Sequence, residues 1–189
     1  MKTLSDLKRN ASKYEWKLVK FGAPCTNSNT GETGVVTHLV LRPGENGVVH
    51  KSYVFQPGRL NSKTGRPAKT TLVDAPGIKG EETEIAEPPV ELMGETLKDK
   101  CTGFAGKVTD IVVFMTGCCH ATLQPAGTNE EGETAHTDNF DLTRLEGEAM
   151  DKYRTREAEE NATAETKGAA VPKKNGGPFD PPAYHQHQF

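Results

Sequence analysis

Apolar and polar residues alternate with a period of two over much of the first 145 positions, the pattern of half-buried strands. In "KYEWKLVKF" (13–21), Tyr14, Trp16 and Leu18 alternate with Glu15, Lys17 and Val19, which predicts one such strand. "VVTHLVLR" (35–42) and "VVHKSYVF" (48–55) flank "PGENG", and two β-rich runs around Pro-Gly and Asn-Gly predict a hairpin. "TTLVDAP" (70–76) adds a short strand, so residues 1–76 read as a β domain with a small antiparallel sheet rolled into a barrel. A second series follows at 96–147: "TLKDKCT", "KVTDIVVFMT", "CCHATLQP" and "DNFDLTRLE", separated by glycine-bearing turns. Short strands about ten residues apart predict a small SH3-like barrel. Its expected core is Val108, Ile111, Cys119, Ala121, Leu123, Phe140 and Leu145.

Elsewhere the period changes or fades. "TLSDLKRNA" (3–11) predicts a short helix with Thr3 as N-cap and Leu4 and Leu7 on one face. Residues 77–95 are acidic and proline-bearing, the composition of a linker. From residue 148 to 189 the chain is charged, then rich in proline and glycine. It begins like a helix but lacks a sustained apolar stripe, so a flexible tail is expected. "LRPGENG" (41–47), "FQPGRLN" (55–61) and "LQPAGTN" (123–129) each end a strand in apolar-x-Pro. Proline cannot donate to a ladder and marks strand exits. Three short motifs leave open whether the two β units repeat each other.

Composition narrows this picture. Of 189 residues, 34% are hydrophobic and 26% charged, with 19 glycines and 12 prolines, which favours two small cores over one large core. The longest apolar run, Ile111 to Met115, is far short of the about 20 residues of a membrane span. The opening "MKTLSDLKRN" lacks the apolar segment of a secretory signal, so a cytoplasmic setting is expected. Residues 1–80 hold 13 Lys and Arg against 5 Asp and Glu, while residues 81–189 hold 10 against 21. Lysines on strand edges discourage edge pairing, but a basic half also offers a contact for nucleic acid or an acidic partner. The candidate contacts are Arg59, Lys63, Arg66 and Lys69, in the basic loop 57–69.

Catalytic chemistry finds little purchase. In "MTGCCHATLQP" (115–125), strand alternation sends Cys119, Ala121 and Leu123 to the core and Cys118, His120 and Thr122 outward. Two adjacent cysteines on opposite faces cannot share a tetrahedral zinc, and a vicinal disulfide needs a strained turn. Cys119 is expected as a small core residue, with Cys118 and His120 a weak same-face pair. "DAPG" (74–77) resembles the DxxG of GTPases, but no GxxxxGK[ST] cradle precedes it, so it reads as a turn. No serine sits in a G-x-S-x-G elbow. His38 and His50 lie in the two hairpin strands and are candidates to face each other; His185 and His187 form a weak metal pattern near the end. No catalytic residue, cofactor or metal is expected.

The motifs "KDKCTGFAGKVTDI", "TGCCHATLQP", "FDLTRLE" and the late "GGP" (176–178) carry a resemblance. Residues 97–146 resemble small tailed-bacteriophage proteins in which TGF-x-G-x-V, a GC strand ending in Gln-Pro, and FD-x-x-x-L recur. The resemblance implies an SH3-like fold and a virion-associated or accessory role, and it transfers no catalytic residue. The resulting expectation is a non-enzymatic phage protein of the head, neck or tail. It would dock onto other phage structural proteins or a host protein, in the host cytoplasm and then in the virion. The alternatives are a nucleic-acid-binding accessory factor using the basic loop, and an inhibitor of a host protein.

Overall fold

Alternation does produce strands. The computed structural model describes residues 16–45, 48–127 and 135–166. They form β1 (Lys17–Val19), β2 (Pro24–Asn27), β3 (Thr33–Pro43), β4 (Val49–Pro57), β5 (Thr71–Asp74), β6 (Ile78–Gly80) and β7 (Glu82–Glu84). There follow β8 (Thr96–Asp99), β9 (Ala105–Phe114), β10 (Cys119–Gln124), β11 (Asp138–Asp141), β12 (Leu145–Glu146) and the helix α1 (Glu148–Thr166). The fold is mostly β. The helix predicted over 3–11 and the tail histidines His185 and His187 lie outside the described residues.

The pairings define two five-stranded units. The first runs β6-β2-β3-β4-β5 and the second β12-β8-β9-β10-β11, all antiparallel. In each, a 3-10 turn (Ala75–Gly77 or Leu142–Arg144) carries the chain from the fourth strand to the fifth.

The correspondence extends to single residues. Gly34, Val36 and Thr37 in β3 match Gly106, Val108 and Thr109 in β9, at a constant spacing of 72 positions. A β-bulge falls at Thr37 in one and Thr109 in the other. The bulged hydroxyls donate to Val54 O at 3.3 Å and to Thr122 O at 3.4 Å. A Cβ on Gly34 would sit 2.2 Å from Gln56 O, and one on Gly106 would sit 2.7 Å from Gln124 O, so both strands need glycine there. Each of those glutamines donates to the returning chain, Gln56 to Ala68 O at 2.8 Å and Gln124 to Ala135 O at 2.6 Å.

The two units are joined, which corrects the expectation of two separate barrels. β3 gives one edge wholly to β4 and shares the other between β2 and β9. The pairs His38↔Phe114, Leu39↔Val113, Val40↔Val112 and Leu41↔Ile111 make this seam, and one ten-stranded open sheet results. Among the described strands no barrel closes. The buried apolar residues of both units form one cluster, not the two cores expected from composition. The alternation of β10 is as predicted: Ala121 and Leu123 are fully buried, and Cys119 is half-buried against the core.

Residues 77–95 are part of the fold rather than a spacer. β6 completes the first unit, β7 pairs with β1, and Val90, Leu92 and Met93 are buried. Acidic and proline residues there punctuate an apolar series instead of replacing it. The tail expectation is corrected for Glu148–Thr166, which is helical. Met150 is buried and Tyr153, one turn on, packs against the core. Arg154 donates to Leu142 O at 3.2 Å and Leu145 O at 2.9 Å, and Arg156 pairs with Glu91. Two apolar residues at i and i+3 dock the first turns without a long stripe.

Candidate functional site

Two features are built from the sheet, one on each face. The outward face follows from register. Leu72, Val54, His38 and Phe114 stand in one cross-strand row over β5, β4, β3 and β9. The next row is Asp74, Ser52, Val40, Val112, His120 and Asp141, continuing onto β10 and β11. Arg42 and Asp110 pair at 2.5 Å across the seam in the row beyond. Phe114 is flanked by both histidines, His38 with ring centroids 4.3 Å away and His120 at 4.5 Å. Oriented aromatic neighbours of this kind lock one another's rotamers. Thr37 Oγ1 lies 2.6 Å from His38 Nδ1, and Asn139 Oδ1 lies 2.6 Å from His120 Nδ1. Burial, then the neighbouring His120, lowers the pKa of His38, so the neutral ring is favoured. Leu72 is 48% exposed and Met115, just past β9, is 54% exposed.

On the inner side, α1 and the second unit enclose a pocket of ≈ 120 Å³. Its apolar walls are Cys119, Leu142, Met150 and Tyr153; the carboxylates of Asp141 and Glu157 also line it, as do Cys118, Thr143 and Arg154. Burial pushes the Cys119 thiol up to about 12, with Cys118, Asp141 and Glu157 adding to the rise. Burial, then Glu157, also raises the Tyr153 phenol. Desolvation of Asp141 is outweighed by hydrogen bonds from Thr143 and by the charges of His120 and Arg144, so its carboxyl stays below the ordinary range. His120 Nε2 stands 3.7 Å from Asp141 Oδ2.

The residues singled out by sequence fall as follows. β10 begins at Cys119, so Cys118 lies outside the strand alternation and lines the same pocket as Cys119, contrary to expectation. His120 does face outward. His38 and His50 do not oppose each other: His38 pairs with Val54 and Phe114, while His50 pairs with Arg42 and approaches Asp74 at 3.6 Å. Asp74 stands at the N-cap of a 3-10 turn, as DxxG read as a turn requires. Arg59, Lys63, Arg66 and Lys69 are all exposed, and Arg59 Nε pairs with Glu32 at 2.6 Å. The Phe114 row and the contribution of Met150, Tyr153 and Glu157 were missed. Both depend on pairings between residues far apart in sequence.

Among the described residues no helix is long and apolar enough to cross a membrane. No protein-family model, curated protein or solved structure matches the chain.

Proposed function

We propose that this chain is a non-enzymatic docking protein, two SH3-like units fused through one sheet, serving as a minor component of a bacteriophage virion. The observation that carries the docking reading is the outward row of Leu72, Val54, His38 and Phe114, with the half-buried Val112 beside it, which crosses the seam of the two units. Aromatic and aliphatic side chains held rigidly on a sheet face are suited to anchoring a partner. The phage assignment rests on the motif resemblance in residues 97–146 alone. Docking through this face gives the two-unit architecture a purpose, since neither unit carries the row alone.

The test is quantitative mass spectrometry of purified virions of the phage encoding this chain. A band of fixed stoichiometry is expected, and it should drop in a Leu72→Ala, Phe114→Ala double variant that still melts like the parent. Absence from virions would move the docking partner to the host.

A further inference from the structure

The two units treat one equivalent position in opposite ways. In the first unit Lys51 pairs with Leu41, and in the second Cys119 pairs with Val113. Leu41 and Val113 are themselves matching positions of β3 and β9, so Lys51 and Cys119 correspond. Lys51 turns its stem inward and sets its ammonium 4.5 Å from the ring centre of Trp16, which is buried. The first unit thus fills this place with its own alkylammonium on an aromatic ring. The second unit has the ring, Tyr153, and the short Cys119 side chain beside it, and there the pocket opens.

We infer that the pocket of the second unit binds an alkylammonium group, presented as the lysine side chain of a partner protein. Three features fit that occupant. The walls of Cys119, Leu142, Met150 and Tyr153 match an aliphatic stem. Asp141 and Glu157 supply two carboxylates for the charged end. The cation among the lining residues, Arg154, has its guanidinium turned to the carbonyls of Leu142 and Leu145. The volume of ≈ 120 Å³ is below the about 150 Å³ that accommodates benzene, and suits an unbranched chain of a few atoms. Burial first, and the charge of Glu157 after it, raise both the Cys119 thiol and the Tyr153 phenol. Arg156 lies 5.6 Å from the Tyr153 ring centre, outside the pocket lining, and pairs with Glu91, so it takes part in holding the ring rather than in filling the site. This site shares Asp141 with the outward rows but uses none of Leu72, Val54, His38 and Phe114, so it can be tested apart from the outward docking face.

The experiment titrates full-length protein with Nα-acetyl-lysine methylamide, its Nε-acetylated counterpart and n-butylamine, following amide shifts of residues 118–121 and 150–157. Saturable shifts are expected with the lysine probe, and none with the acetylated one. Tyr153→Leu should weaken binding roughly fivefold or more, while Tyr153→Phe, which keeps the ring, should retain it. Glu157→Gln, which keeps an acceptor for the Tyr153 hydroxyl 3.4 Å away, should weaken it while the protein stays folded. Cys119→Lys, copying the first unit, should leave the protein folded and abolish binding by filling the pocket from within. Equal binding of the acetylated probe, or no saturable shift with the lysine probe, would overturn the proposal. Binding of n-butylamine without the lysine probe would assign the pocket to free amines and overturn it too.

Discussion

At the end of β2 the first unit buries Asn27, and at the matching end of β8 the second unit buries Asp99. Both close the same turn: Gly31 N donates to Asn27 O at 2.7 Å and Gly103 N to Asp99 O at 2.9 Å, with both glycines at positive φ. The side chains differ in charge, and their partners differ to match. Asn27 Oδ1 accepts from Asn29 N at 3.0 Å, a neutral arrangement. Asp99 accepts from Thr102 N at 2.8 Å and from Arg144 Nε and Nη2 at 2.9 and 2.8 Å. Where the second unit has Arg144, the first has Gly77: Lys100 N donates to Arg144 O, and Ser28 N to Gly77 O. A buried carboxylate needs its cation, and a buried amide does not. The turn accepts either state, provided acid and base are present or absent together.

That reading is broken most sharply by separating the pair. Arg144→Ala leaves Asp99 buried without its bidentate partner and should lower the melting temperature by on the order of 10 °C. The double change Asp99→Asn, Arg144→Gly copies the first unit and should recover most of that loss. If the double variant melted no higher than the single one, the equivalence of the two turns would be wrong. The pH dependence has a definite sign. The guanidinium of Arg144 and the bonds from Thr102 hold the Asp99 carboxyl well below its ordinary value. A lowered folded value stabilises fully above the unfolded value of about 3.9 and is lost as pH falls below it. The double variant should therefore be less acid-sensitive than the parent.

The interior of the second unit offers a smaller effect. Cys119→Val keeps an apolar group of similar size and should shift stability by less than about 1.5 kcal/mol. Cys119→Asp places a charge against Leu142, Met150 and Tyr153 and should cost on the order of 2 kcal/mol. Thermal melts of both variants check this; parent-like melting of the Asp variant would contradict the inward orientation of Cys119.

Strand alternation carried most of the local structure: the inward series Ala121 and Leu123, the hairpin of β3 and β4, and the turn at Asp74 were all readable. What alternation cannot carry is which edge meets which. Val40 and Val112 meet at the seam although 72 positions separate them, and nothing local in either strand names its neighbour. The repeat is present as "TGETGVVTHLVL" (30–41) and "TGFAGKVTDIVV" (102–113), where the shared residues are the Thr-Gly of the turn, the glycine under Gln-Pro, the Val before the bulge, the bulged Thr and the seam valines Val40 and Val112. The apolar-x-Pro strand exits mark only its edge, since they lie outside the segment that carries the turn, the close approach and the bulge. Residues 77–95 and α1 were misread for one reason. A few apolar residues, Val90, Leu92 and Met93 in one and Met150 and Tyr153 in the other, suffice to dock a segment on an existing core. Average composition conceals them, and the pocket, which depends on α1, went unseen with them.

The smallest expected effect lies in the loops joining the third and fourth strands of each unit. The first unit's loop carries Arg59, Lys63, Arg66 and Lys69 and no acid; its counterpart at 125–137 carries Glu130, Glu131 and Glu133 and no Lys or Arg. A nucleic acid would be drawn to the basic loop and not to the acidic segment. That contact should be weak. Arg59 is engaged with Glu32, and the loop offers Leu60, 64% exposed, but no aromatic ring on which a base could stack. Phosphate contacts without stacking depend on counterion release and fade with salt. A titration with DNA should show sequence-indifferent binding at low salt that is nearly gone at physiological salt. Changing all four basic residues to alanine should abolish the low-salt signal, while changing the three glutamates to glutamine should strengthen it slightly by relieving repulsion. Tight binding that persists at physiological salt and disappears in the quadruple variant would make nucleic-acid binding the better account of this protein than docking through the outward sheet face.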